Sequence, residues 1–189
     1  IGFLFSCGDE LEWELEPSEI TQLESPIING ERCDESIYPS AVAILTDAVL
    51  DLGPWGGEQQ ITAVSCTGTL IAPDTVLTAA HCLDPTLLTM GFGDLKSVNY
   101  YISVEPDLSS MSSNPQSAKL PGNALKASSW IAHPSFTIDA MQQVNGPGDF
   151  SDIGLLFLEN PIVDILPAIV IAESEFSQLQ EGAEVGIAG

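Results

Sequence analysis

Residues 66 to 82 read Cys66-Thr-Gly-Thr-Leu-Ile-Ala-Pro-Asp-Thr-Val-Leu-Thr-Ala-Ala-His81-Cys82. Two β-prone runs, Ser65 to Ile71 and Thr75 to Thr78, flank an Ala-Pro-Asp turn signal, so the stretch predicts a hairpin. Its second arm ends in the small Ala79 and Ala80, followed directly by a histidine and a cysteine. A disulfide between Cys66 and Cys82 would close a loop of about 15 residues and stabilise the fold by about 3 kcal/mol in the chain-entropy account. It would also pin the backbone beside His81. A general base needs that, because its imidazole must keep one position and one tautomer. On residue types alone, a structural histidine beside a structural disulfide is the commoner meaning of a His-Cys pair.

The whole stretch resembles the catalytic-histidine segment of chymotrypsin-like (trypsin-family) serine proteases. That segment has a cysteine, Gly-Ser/Thr-Leu-Ile, a turn, and Val-Leu-Thr-Ala-Ala-His-Cys. Here these are Gly68-Thr69-Leu70-Ile71 and Val76 to Cys82. Further on, Ser151-Asp152-Ile153-Gly154-Leu155-Leu156-Phe157-Leu158, with Pro161-Ile162 after it, resembles the family's Asp-Ile-Ala-Leu-Leu-x-Leu. Taken alone, an aspartate before an apolar strand is a turn residue. With the histidine motif upstream in the family's order, the resemblance implies that His81 is a general base and Asp152 the carboxylate that orients it. The Cys66–Cys82 pair is the expected bridge.

Short apolar runs separated by Gly/Pro turns, with no convincing long amphipathic helix, predict an all-β chain. The expected fold is an antiparallel six-stranded Greek-key barrel over residues 27 to about 175, the first barrel of a two-barrel protease. Tyr38 to Leu45 reads as its first strand and residues 46 to 60 as a loop. Leu87 to Gly93 and Val98 to Val104 read as further strands, and residues 105 to 123, rich in Ser, Pro and Asn, as a surface insertion. His133, in Trp130-Ile131-Ala132-His133-Pro134-Ser135-Phe136, matches a His-Pro-aromatic stretch that is structural in the family. Asp149, beside Gly148, reads as a loop acid.

At 189 residues the chain is long enough for a sizeable core. Its 44% hydrophobic content, 16 glycines and 13 prolines fit a turn-rich globular chain. Twenty-seven acidic residues face four basic ones, Arg32, Lys96, Lys119 and Lys126, for a net charge of −23. Such a charge repels phosphate backbones, so nucleic acid is not an expected partner. Protein or peptide substrates are.

The N-terminal region divides further. Ile1 to Cys7 reads as the end of a signal-peptide apolar region, and Leu4-Phe5-Ser6-Cys7 resembles a bacterial lipobox, with Cys7 as the lipidated residue. Membrane attachment through that lipid would follow. Residues 8 to 26 carry seven acidic residues and no basic one, which suits a solvated tether or propeptide. Ile27-Ile28-Asn29-Gly30 resembles the family's mature N-terminus, whose freed ammonium pairs with an aspartate next to the catalytic serine. That gives Ile27 as the activation N-terminus and residues 27–189 as protease domain. Pro26 precedes it in place of the Lys or Arg of trypsin-activated members. Cys33 is left over for a partner elsewhere. The expected location is the bacterial cell envelope, as a lipoprotein, or the extracellular medium.

The family's nucleophile sits in Gly-Asp-Ser-Gly-Gly, whose backbone N–H groups also form the oxyanion hole. Residues 1 to 189 contain no such segment. The chain starts at Ile1 and ends at Gly189 inside an apolar run that resembles the entry to the second barrel, so we expect an N-terminal portion, inactive alone, of a serine endopeptidase. The competing reading is a non-catalytic protease homologue used as a binding module, which need keep neither His81 nor Asp152. A zinc hydrolase is disfavoured by two histidines and no His-Glu-x-x-His. No calcium-loop spacing occurs either, so neither cofactor nor metal is expected.

Overall fold

A computed structural model describes residues 38–54, 56–89, 93–137 and 151–178. Ile27, Cys7, Cys33 and Asp149 lie outside them, as do residues 1–7 and 8–26. Two compact units are present. One comprises Ser40–Ile169. In the other, Ile1–Pro39 with Val170–Gly189, the described part includes a 3-10 segment, Glu173–Gln178, where Ala172 N–H donates to Glu175 Oε2 at 3.1 Å.

Among the described residues, six antiparallel strands build the larger unit: β1 Ala41–Asp51, β2 Glu58–Ala72, β3 Thr75–Thr78, β4 Asp94–Ser103, β5 Leu125–Ala132 and β6 Gly154–Leu158. They close into a barrel in the order β1-β2-β3-β6-β5-β4. Closure leaves no open sheet edge. The expected all-β, six-stranded fold is the one observed.

Alternation of side chains sets the interior. Along β1 the even positions from Val42 to Leu50 are buried, as a strand with one face on a core requires. Val42, Ile44, Leu70, Val76, Leu83, Tyr100, Ile102, Ala127, Leu156, Leu158 and Ile162 form the core cluster. Gly68 permits the close approach of β2 and β3: a Cβ there would stand 2.6 Å from Val76 Cγ1 and 3.0 Å from the Leu77 carbonyl oxygen.

Two boundaries differ from the sequence reading. β1 runs to Asp51 and β2 begins at Glu58, so the loop expected at 46–60 shrinks to a turn. Asp47 falls within that span. On the strand, its Oδ1 accepts from Gln60 Nε2 at 2.9 Å and from Thr62 Oγ1 at 3.0 Å across the ladder. Cross-strand pairing of this kind supports a polar residue within a sheet. The turn itself uses Gly53 and Gly57 with φ of 76° and 61°, where a Cβ would be strained. The second difference is at Leu87. Thr86–Thr89 is a single helical turn (α1), and the strand starts at Asp94. Pro85 supplies a fixed φ just ahead of that turn, where its missing N–H costs nothing, and Leu87 N–H closes onto the Asp84 carbonyl. Residues 105–123 run as turns over mainly exposed side chains, without a strand.

Tyr100 is 1% exposed, and its ring meets Trp130 edge-on with centroids 4.9 Å apart. Its hydroxyl is buried without a hydrogen-bond partner. Burial, then the charge of Asp84, pushes its pKa up to about 12. An unsatisfied buried hydroxyl costs about 1–3 kcal/mol. Tyr100→Phe is therefore expected to raise stability by about 1 kcal/mol, read as a higher urea midpoint. A raised tyrosine pKa leaves stability intact below about 10 and erodes it between the unfolded value and the folded one. The variant will accordingly lose less stability than the parent between about pH 10 and 12.

Candidate active site

The β2–β3 hairpin delivers its second arm into a short 3-10 helix, Ala80–Leu83, which carries His81 and Cys82. Leu83 anchors this turn: it is 2% exposed and belongs to the core cluster. Room for it comes from Gly154, where an added Cβ would lie 2.7 Å from Leu83 Cδ1 and 3.3 Å from the Ile131 carbonyl oxygen. A disulfide joins Cys66 on β2 to Cys82, with Cα atoms 6.0 Å apart. His81 is thus held from one side by a core leucine and from the other by a covalent tie.

Asp152 enters from a different part of the chain. It precedes β6, and β6 pairs with β3 through Thr78↔Gly154, which places the aspartate beside the end of the histidine arm. The 3-10 turn has no capping side chain of its own at Ala79. Asp152, 71 residues away, does that work: its Oδ1 accepts the His81 backbone N–H at 2.8 Å. Its Oδ2 lies 2.7 Å from His81 Nδ1. One carboxylate oxygen therefore caps the turn while the other holds the ring that the turn carries. Capping carboxylates at helix starts are stabilising for both hydrogen-bond and dipole reasons.

The electrostatics follow. Partial burial works against the charge on Asp152. Hydrogen bonds from the His81 ring and backbone, the charge that the ring carries when protonated and the Ala80 N–H outweigh it, so the carboxyl is held below the ordinary aspartate value. A charged carboxylate can only accept, so Nδ1 carries the proton and a neutral ring keeps its lone pair on Nε2. The imidazole is 37% and the carboxylate 25% exposed, open enough for a reacting group to approach.

The depressed value has a consequence for acid stability. A lowered folded-state pKa contributes stability that is complete above the unfolded value, about 3.9, and is lost as pH falls through the folded one. The stability difference between the parent and Asp152→Asn is expected to shrink as pH drops below about 4. Urea midpoints of both proteins at pH 7 and at about pH 3 measure it.

Ser151 was not singled out in the sequence. It has φ of 48°, a left-handed conformation that costs a non-glycine residue about 1–2 kcal/mol. Its carbonyl accepts the Ile153 N–H at 2.8 Å, making a tight bend that precedes β6 and contains Asp152. A serine offers no residue-type signal for that bend. His133 contributes to a turn: its backbone N–H donates to Ile153, and its exposed ring nitrogen Nδ1 accepts the Ser135 N–H at 3.2 Å. A groove of about 440 Å³ lined by Glu105, Met111, Ser117 and Lys119 among others lies in the 105–123 segment and shares no residue with the His81 site.

A closed six-stranded antiparallel barrel is the fold of a chymotrypsin-like barrel. The family described as Trypsin matches residues 46–189, and the chain belongs to that family. Membership assigns a serine-protease-like function in general terms, with proteins or peptides as substrates. No curated protein matches the chain.

Proposed function

We propose that His81 and Asp152 are the general base and orienting acid of a serine endopeptidase, whose nucleophile and oxyanion hole come from sequence outside these 189 residues. The observation that carries this is the double engagement of Asp152, on the His81 ring at 2.7 Å and on its backbone at 2.8 Å. In the reaction, Nε2 takes the proton of the attacking serine hydroxyl and later gives it to the leaving amine. Asp152 stays ionised and stabilises the imidazolium between the two steps. Three apolar side chains after β6 support a neighbour that covers them: Val163, Leu166 and Ile169 are 79%, 84% and 94% exposed. A second barrel carrying the serine would bury such a run.

The N-terminal organisation belongs to the same proposal: export, acylation at Cys7, residues 8–26 as an acidic tether, and activation by cleavage of Pro26–Ile27. A protease reading Lys or Arg cannot use that bond, and cutting after Arg32 would remove the Ile-Ile-Asn-Gly start. A separate, non-tryptic protease would therefore release the domain from its lipid.

A fluorophosphonate probe tests the assignment of the nucleophile. The 189-residue chain is expected to remain unlabelled, and the gene product read through the downstream sequence to be acylated on a single serine beyond Gly189. Acylation of a serine within residues 1–189 would overturn it. A read-through product that lacks a reactive serine would instead identify a binding module.

A further inference from the structure

We infer that opening the Cys66–Cys82 bridge converts this site into a soft divalent-metal site, with Cys66 Sγ, Cys82 Sγ and the His81 imidazole as ligands. One ligand atom from each residue, the two Sγ atoms and one nitrogen of the His81 ring, already lies within 4.8 Å of the others. In a tetrahedral zinc site, bonds of about 2.3 Å to sulfur and about 2.0 Å to nitrogen set the ligand atoms about 3.5 to 3.8 Å apart. The sulfurs begin closer than that, in a covalent bond, and need only to separate where Cys66 is held opposite Ile44 in the β1–β2 ladder and the turn that carries Cys82 is anchored by buried Leu83. Two thiolates and an imidazole leave the fourth position open, a ligand set that takes Zn²⁺ or Co²⁺. Asp152 on His81 Nδ1 adds the carboxylate–histidine–metal arrangement that fixes a ligating ring through its other nitrogen.

The chemistry is balanced by a dithiol. Thiol–disulfide exchange breaks the Cys66–Cys82 bond, the protein sulfurs leave as two thiols, and the dithiol closes to its own disulfide. Metal binding then releases the two thiol protons. Absence of a metal motif in the sequence does not bear on this site, because its ligands arise only when the bridge opens. With Nε2 on the metal, the ring has no lone pair for proton transfer. That consequence rests on the function proposed above; metal binding itself does not.

The experiment uses the 189-residue chain with C7S and C33S, so that those thiols supply no ligands. It is reduced with a dithiol, desalted without oxygen and titrated with Co²⁺. One Co²⁺ per chain is expected, with intense thiolate-to-cobalt charge-transfer absorption displaced by Zn²⁺, and none in the oxidised chain. His81→Ala and Asp152→Asn should each weaken binding about tenfold or more. Asp152 is the discriminating arm: it is 71 residues from His81, so it matters only if the reduced chain keeps its fold. No charge-transfer band after reduction would overturn the inference. So would binding that neither substitution weakens, or that only His81→Ala weakens, since an opened chain would chelate through neighbouring His81 and Cys82 alone.

Discussion

Asp152→Asn will lower kcat of the nucleophile-bearing protein by about 10⁴-fold while leaving its fold in place. The two carboxylate oxygens have separate duties, and the amide can keep only one of them. Its oxygen can still accept the His81 backbone N–H and hold the 3-10 turn. Its NH₂ then faces Nδ1, where it demands a lone pair. The ring must move its proton to Nε2, and the base is lost without loss of structure. Thermal unfolding and kcat on a peptide substrate, measured on the same preparation, separate these effects. A drop in kcat of less than about tenfold, or one that only tracks unfolding, would remove Asp152 from the proposed chemistry.

The second large effect is on stability. Replacing Cys66 and Cys82 together by alanine is expected to cost about 3 kcal/mol, because the loop they close, 16 residues apart in sequence, no longer restricts the unfolded chain. For a domain of this size that is a fall in melting temperature of about 10 °C. The loss should not stop there. Cys82 is adjacent to the histidine, and a displacement of about 1 Å at a reacting group can cost about 10²-fold in rate. A double variant that melts within about 2 °C of the parent would show that the bridge is dispensable to the barrel.

How much of this was legible beforehand differs by element. The hairpin was, because Ala-Pro-Asp stands between two β-prone runs; the close crossing of β2 and β3 that Gly68 permits was not. The extent of β1 was not. Asp47 and Asp51 carry a loop's composition, and what keeps them on a strand is pairing with Gln60, Thr62 and Lys96, partners set by register and not by local sequence. Leu87-Leu88-Thr89 has strand composition, yet Pro85 upstream starts a helical turn. At the site, the motifs placed His81 and Asp152 in order along the chain. They did not reveal that Asp152 also caps the histidine's own turn, because a cap supplied from 71 residues away leaves no trace near the helix. Nor did any residue type announce the left-handed bend at Ser151.

The most direct test of the central claim is the protonation of the His81 ring in the 189-residue chain, read by long-range ¹H–¹⁵N correlation of the neutral imidazole. The account predicts a proton on Nδ1 and a bare Nε2, and a shift of the proton to Nε2 in Asp152→Asn. A proton on Nε2 in the parent chain, or the same tautomer in both proteins, would contradict it.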